Sequence, residues 1–210
     1  MKLKDLHNET DQLKSSSLMP LLFIGHGSPM NGIADNTFTR TLLKITEDLT
    51  VRPSAVLVIS AHWLTRGTHV LTSAKPRTIH DFGGFPQELY NIQYNAPGSP
   101  EFAEITRKMG VETLIVNDDQ WGFDHGSWTI LRHMFPDGDI PVYQLSIDYN
   151  LSAADHFLLA QELSGLREKG VLIVGSGNIV HNLSQINMFE NAIPFEWAME
   201  FDSKIYNPQN

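Results

Sequence analysis

Short apolar runs alternate with amphipathic stretches along this chain. Leu21-Leu22-Phe23-Ile24, Ala55-Val56-Leu57-Val58-Ile59-Ser60, Pro141 to Ile147 and Val171-Leu172-Ile173-Val174 are four such runs. Each is strand-length and rich in β-branched or large apolar residues, the pattern of a strand buried on both faces of a parallel sheet. Thr113 to Val116 reads as a further strand, and Val70-Leu71-Thr72 as a short one. Between them lie helical patterns. Asn36 is placed to cap a helix running to Glu47, with Phe38, Leu42, Leu43 and Ile45 on its apolar face. Ser99 is placed to cap one reaching Met109, and a short helix runs through Met134. Residues 152–168 place Phe157, Leu158, Leu159, Leu163 and Leu166 inward until Gly170 stops the helix, and a last helix covers 194–206. This alternation predicts one α/β domain with a mostly parallel central sheet and helices on both faces. Residues 64–98 read mostly as a long ordered loop held by Phe82, Phe85, Tyr90 and Tyr94.

The ends of the apolar runs carry histidine. His26 lies between two glycines just past the first run, and His62 follows the second within Ala61-His62-Trp63. His125 and His181 come shortly after later strands. In open α/β sheets ligands bind at the carboxyl ends of the strands. Four imidazoles on one rim therefore make a candidate metal site there. With no cysteine in 210 residues and nine histidines, any metal must be held by nitrogen and oxygen. That donor set suits Fe(II), Zn(II), Mn(II) or Cu(II) better than Mg(II) or Ca(II). Asp124 and Asp148 are candidates for orienting a ligating imidazole, with capping an equal reading for Asp148. The remaining histidines take structural readings, His80 standing out for the aromatic loop around it.

Composition narrows the partners. Fifteen Lys and Arg against 24 Asp and Glu leave a net charge of −9, and no basic patch is visible. That argues against nucleic acid or an anionic membrane as partner. No apolar run is long enough to span a bilayer. Residues 1–18 are polar, without the apolar core of a secretory signal, and read as a flexible leader to a catalytic domain over 19–210 in a cytoplasmic protein. Other chemistries lack their motifs. There is no G-x-S-x-G elbow and no phosphate loop, and Gly175-Ser176-Gly177 lacks the third glycine of a dinucleotide fingerprint.

Five strings together carry a family likeness: Gly25-His26-Gly27-Ser28-Pro29, Ser60-Ala61-His62-Trp63, Ile79 to Pro86, Trp121 to Trp128 and Gly175 to Leu183. In this order they resemble the class III extradiol ring-cleavage dioxygenases, in their 4,5-DOPA dioxygenase branch. The resemblance implies an Fe(II) or Zn(II) enzyme that opens the ring of a catechol with O₂. It implies His26 and His62 as metal ligands, and His181 as acid/base or an additional ligand. It also implies His125 in the substrate pocket, which Phe82 and Phe85 would wall. A further ligand of the family lies in a C-terminal segment that this sequence lacks. His181 or a neighbouring subunit would then complete the site, or turnover would be weak; an uncovered apolar face would favour a homo-oligomer. A zinc-dependent hydrolase and a non-catalytic metal- or partner-binding protein on the same fold are the alternatives.

Overall fold

A computed structural model of the chain describes residues 18–185 and 192–206. The chain divides into two compact units, 1–177 and 178–210. The leader expected over 1–18 lies, save Leu18, outside the described residues.

The first unit is an α/β body. Its six-stranded sheet has the order β1-β8-β2-β7-β3-β5, from β1 (Leu21–Ile24), β2 (Ala55–Thr65), β3 (Thr68–Leu71), β5 (Ile115–Asp118), β7 (Val142–Asp148) and β8 (Val171–Ser176). Every pairing in it is parallel except β3 with β7. Two short strands, β4 (Arg77–Thr78) and β6 (Gly122–Phe123), pair separately. The helices are α1 (Thr37–Glu47), α2 (Gln87–Tyr90), α3 (Pro100–Met109), α4 (His125–Met134) and α5 (Ala153–Leu163), the last continued by a 3-10 turn.

Side chains alternate across the sheet, so each strand feeds two cores. Val56, Val58, Leu172 and Val174 pack with Leu42 of α1 and with Trp128, Leu131 and Met134 of α4. On the other face Ala55, Leu57, Val171 and Ile173 pack with Phe102 and Ile105 of α3 and Leu159 and Leu163 of α5. Asn36 starts α1 with a reciprocal box: its side chain accepts from Thr39 N at 3.0 Å, and Thr39 Oγ1 accepts from Asn36 N at 3.0 Å. Ser99 occupies the N-cap position of α3 without a side-chain hydrogen bond.

Several expectations need correction. β1 is an edge strand rather than a buried one. Among the described residues it pairs with β8 alone, and Leu21 and Phe23 are 58% and 60% exposed. In α5, Leu159 and Leu163 face inward, whereas Phe157 and Leu158 are exposed because they lie round the helix from that stripe. The stretch from 64 to 98 is mainly loop, with β3, β4 and α2 as short elements within it.

The second unit holds a 3-10 turn, Leu183–Gln185, and helix α6 (Glu196–Tyr206), whose start carries a stacked Phe195–Trp197 pair at 6.3 Å between ring centroids. No helix among the described residues is long and apolar enough to cross a membrane.

Candidate metal centre

Register brings the site together. β1, β8 and β2 lie side by side and parallel, and Ile24 and Ser60 both stand opposite Ser176. The three strands therefore reach one rim at the same height. Beyond Ile24 the chain turns through His26 and Gly27, whose φ of +68° suits glycine. His62 arrives differently from expectation. β2 does not stop at Ser60 but continues to Thr65, with a break in its pairing to β7. Ile59 pairs with Leu145 and Leu64 with Ile147, so Ser60 to Trp63 stand opposite the single Ser146. This bulge re-aims His62 within the strand. His125 is the first residue of α4, brought to the rim by the β6 segment.

The three imidazoles converge. His26 Nε2 lies 3.1 Å from His62 Nε2. Ring centroids are 4.9 Å apart for His26 and His62, 5.3 Å for His26 and His125, and 4.0 Å for His62 and His125. One ligand nitrogen from each lies within 4.8 Å of the others. His26 and His125 are buried and His62 is partly so.

What surrounds the rings decides whether a metal fits. His26 Nδ1 is 2.9 Å from Ser176 Oγ, and that hydroxyl also donates to the Gly126 carbonyl. A hydroxyl has one proton, so Ser176 accepts from His26 Nδ1–H, and the lone pair of His26 sits on Nε2. Asp81 lies beside the other two rings. Its Oδ2 is 3.5 Å from His62 Nδ1, and its Oδ1 is 3.0 Å from His125 Nδ1 and accepts from His125 N at 2.9 Å. Burial pushes the Asp81 carboxyl up, but hydrogen bonds from the His125 side chain and backbone outweigh it and hold the group below its usual range. Two Nε2 atoms in such contact must share a proton or face a cation. The donor set therefore fits a metal ion.

A second carboxylate anchors the frame. Asp124, fully buried, caps α4 by accepting from Ser127 N at 3.1 Å. It also accepts from Ser60 Oγ at 2.6 Å and Gln144 Nε2 at 2.9 Å. Ser60 Oγ in turn accepts from His62 N at 3.2 Å. Asp124 thus holds the backbone of the bulge and the start of α4, rather than an imidazole as expected. Asp148 accepts from Asn150 N and Nδ2 at 2.9 and 3.0 Å, which is its capping reading.

Gly126 makes the close approach of α4 to β2 feasible. A Cβ there would lie 2.7 Å from Ser60 Oγ and 2.9 Å from His62 Cδ2. Gly126→Ala is expected to displace the His62 ring and weaken Zn(II) binding at least about tenfold. The same Cβ presses on Ser60 Oγ and its bond to Asp124, and the helix-propensity gain, at most about 1 kcal/mol, offsets only part of the strain, so the melting temperature should fall as well. Zn(II) titration beside thermal melting checks both; unchanged affinity would show that the ring has room to spare.

The aromatic loop reaches this centre. Phe82 meets His125 edge-on at 5.6 Å, and Phe85 packs on Phe82 at 5.3 Å. His80 bonds the Ile92 carbonyl at 3.1 Å and packs among Phe82, Tyr90 and Trp128, so it holds the loop. His69, His133 and His156 each contact a backbone carbonyl, in keeping with structural roles. His7 lies outside the described residues. His181 belongs to the second unit, between β8 and the 3-10 turn. Sequence reasoning gave no role to Asp81, Ser60 or Ser176, although each lies in a string that carries the family likeness; the available signal was a carboxylate or hydroxyl one to three residues from an aromatic or histidine at a strand end.

Comparison with known proteins follows the same lines. The family model described as "Catalytic LigB subunit of aromatic ring-opening dioxygenase" matches residues 20–207. The "4,5-DOPA dioxygenase extradiol" of Escherichia coli (strain K12) is 47% identical over 196 residues, covering 93% of this chain and 72% of the relative. The protein of the same description from Beta vulgaris is 40% identical over 186 residues, covering 86% of this chain and 69% of the relative. A crystal structure of an uncharacterized protein from Escherichia coli K12 matches with a TM-score of 0.76 and 42% identity, covering 90% of this chain and 71% of that one. Membership of such a family implies a metal cofactor. The chain, a dioxygenase and so an oxidoreductase, belongs to the family of the catalytic LigB subunit of aromatic ring-opening dioxygenase.

Proposed function

We propose that this protein is a metal-dependent extradiol dioxygenase that opens the ring of a catechol such as DOPA beside its hydroxyls, with both atoms of O₂ entering the product. The convergence of three imidazole nitrogens within 4.8 Å at the sheet rim carries the reading. His26 and His62 hold the ion, Fe(II) or Zn(II). When bound, it supplies charge and open positions for the two catechol oxygens, and in the Fe(II) form for O₂. Phe82 and Phe85 pack on the ring and keep water from it. His125, beside Phe82, holds a phenol oxygen. His181 takes the second phenol proton and later returns it.

A second reading of His125 follows from the same 4.8 Å grouping: it is the third nitrogen ligand. The two separate cleanly. His125→Ala keeps bound metal and loses catechol affinity under the first reading, and loses metal under the second. His181→Ala is expected to lower turnover more than metal content. Equal turnover at equal metal loading would remove it from the mechanism.

The deciding experiment is anaerobic reconstitution with Fe(II), then addition of DOPA and other catechols while O₂ uptake and the visible spectrum are followed. A yellow ring-opened product with one O₂ consumed per catechol is the expected result. Bound metal without uptake would favour a zinc-dependent hydrolase. Failure to retain any metal would favour a binding role.

A further inference from the structure

We propose that Asp81 is a positioning residue that turns two imidazoles at once and ties their orientation to the aromatic loop; this rests on the metal reading above. Its two carboxylate oxygens divide between the rings, Oδ1 toward His125 Nδ1 at 3.0 Å and Oδ2 toward His62 Nδ1 at 3.5 Å. The Nδ1 of His125 is buried, and Asp81 Oδ1 at 3.0 Å is the acceptor it faces.

An ionised carboxylate only accepts. Each Nδ1 that faces it therefore carries the proton; His125 Nε2 carries a lone pair, and His62 Nε2 does so once a cation replaces the proton it shares with His26 Nε2. Ser176 does the same for His26 through a hydroxyl whose proton is already given to Gly126 O. Outer partners thus favour one form of all three rings when a cation is bound, with ligand lone pairs aimed inward. A carboxylate in this place also makes its imidazoles better donors to a cation.

Asp81 differs from Ser176 in where it stands. Ser176 ends a central strand, whereas Asp81 lies on the loop next to Phe82, whose ring meets His125 at 5.6 Å. It also accepts from the His125 backbone N, which fixes the loop to the first turn of α4. A shift of the loop that withdraws Phe82 withdraws the carboxylate too. The order of the pocket wall and the readiness of His62 and His125 for metal are then one property.

The test uses the whole chain, labelled with ¹⁵N-histidine and freed of metal, with Asp81→Asn and Asp81→Glu as variants. His62 and His125 signals are assigned by comparison with His62→Ala and His125→Ala. In the parent Nδ1 is expected to carry a proton on both rings, with His62 Nε2 also sharing one with His26 Nε2; loss of the Nδ1 proton is the change to be read. In Asp81→Asn the side-chain amide must point its NH₂ at one Nδ1, and at least that ring should change to the Nε2–H form. Zn(II) affinity, measured by competition with a chromophoric chelator, should fall about 10- to 100-fold in Asp81→Asn. Asp81→Glu keeps an acceptor-only group and should recover part of the loss. Identical tautomers in parent and Asp81→Asn, or a Zn(II) affinity within about twofold of the parent, would overturn the proposal. A parent that binds no Zn(II) would overturn the metal reading instead, and the tautomers would still decide the role of Asp81.

Discussion

Replacing His62 with alanine is expected to leave a folded protein that no longer retains metal. The side chain sits on a bulge at the rim, 24% exposed, and fills no part of either core. What it contributes is a nitrogen 3.1 Å from that of His26 and a ring 4.0 Å from that of His125. Without it the remaining imidazoles no longer converge in a set of three, and Asp81 loses one of the two rings it faces. Loss of an outer partner alone typically costs 10- to 100-fold in metal affinity, so loss of this nitrogen should exceed about 100-fold. His26→Ala should behave alike. Metal content after dialysis, read beside circular dichroism, checks this. Normal metal in a folded His62→Ala protein would sink the assignment of the site.

The largest effect on stability is expected at Asp124, through hydrogen bonds rather than packing. Asp124→Ala removes the cap of α4, worth about 1 kcal/mol, and strands the donors of Ser60 and Gln144 in a buried place at about 1–3 kcal/mol each. These terms overlap, and a net loss of about 4 kcal/mol is expected. For a chain of this length that lowers the melting temperature by roughly 10 °C. Asp124→Asn should recover only part, because its NH₂ must oppose one of the groups that now donate. Thermal and urea melts of the metal-free variants measure this. A midpoint equal to the parent's would show that water or rearranged neighbours satisfy the network, and that the frame of the site rests elsewhere.

Much of this was legible from residue order. The apolar runs at Ala55, Pro141 and Val171 announced central strands, and Asn36 as a cap announced α1. Histidines past strand ends announced the rim. The departures have physical causes. Leu21 to Ile24 has the composition of a central strand, yet composition does not state how many neighbours a strand has, and among the described residues β1 has one. The bulge at Ser60 to Trp63 leaves no local mark, because it exists only in register against β7. Asp81 acts on His62 and His125, 19 and 44 residues away in sequence, and on α4, which no periodicity connects to its loop. Asp124 lay closer to sight, since a helix begins beside it, but its bond to Ser60 spans 64 residues.

The place of β1 also sets the order in which the molecule can be made. Its partner in the sheet, β8, ends at Ser176, and the contact between His26 and Ser176 closes a span of 150 residues. Contacts of such separation form late, after the loop-closure entropy of the intervening chain has been met by other pairings. β1 precedes β8 in the chain and, among the described residues, pairs with no strand until β8 follows. The sheet around β2 and β7 can gather earlier, with His62 on it and His125 at the start of α4 packed against it. His26 joins later, so the third imidazole arrives only once β8 is in place.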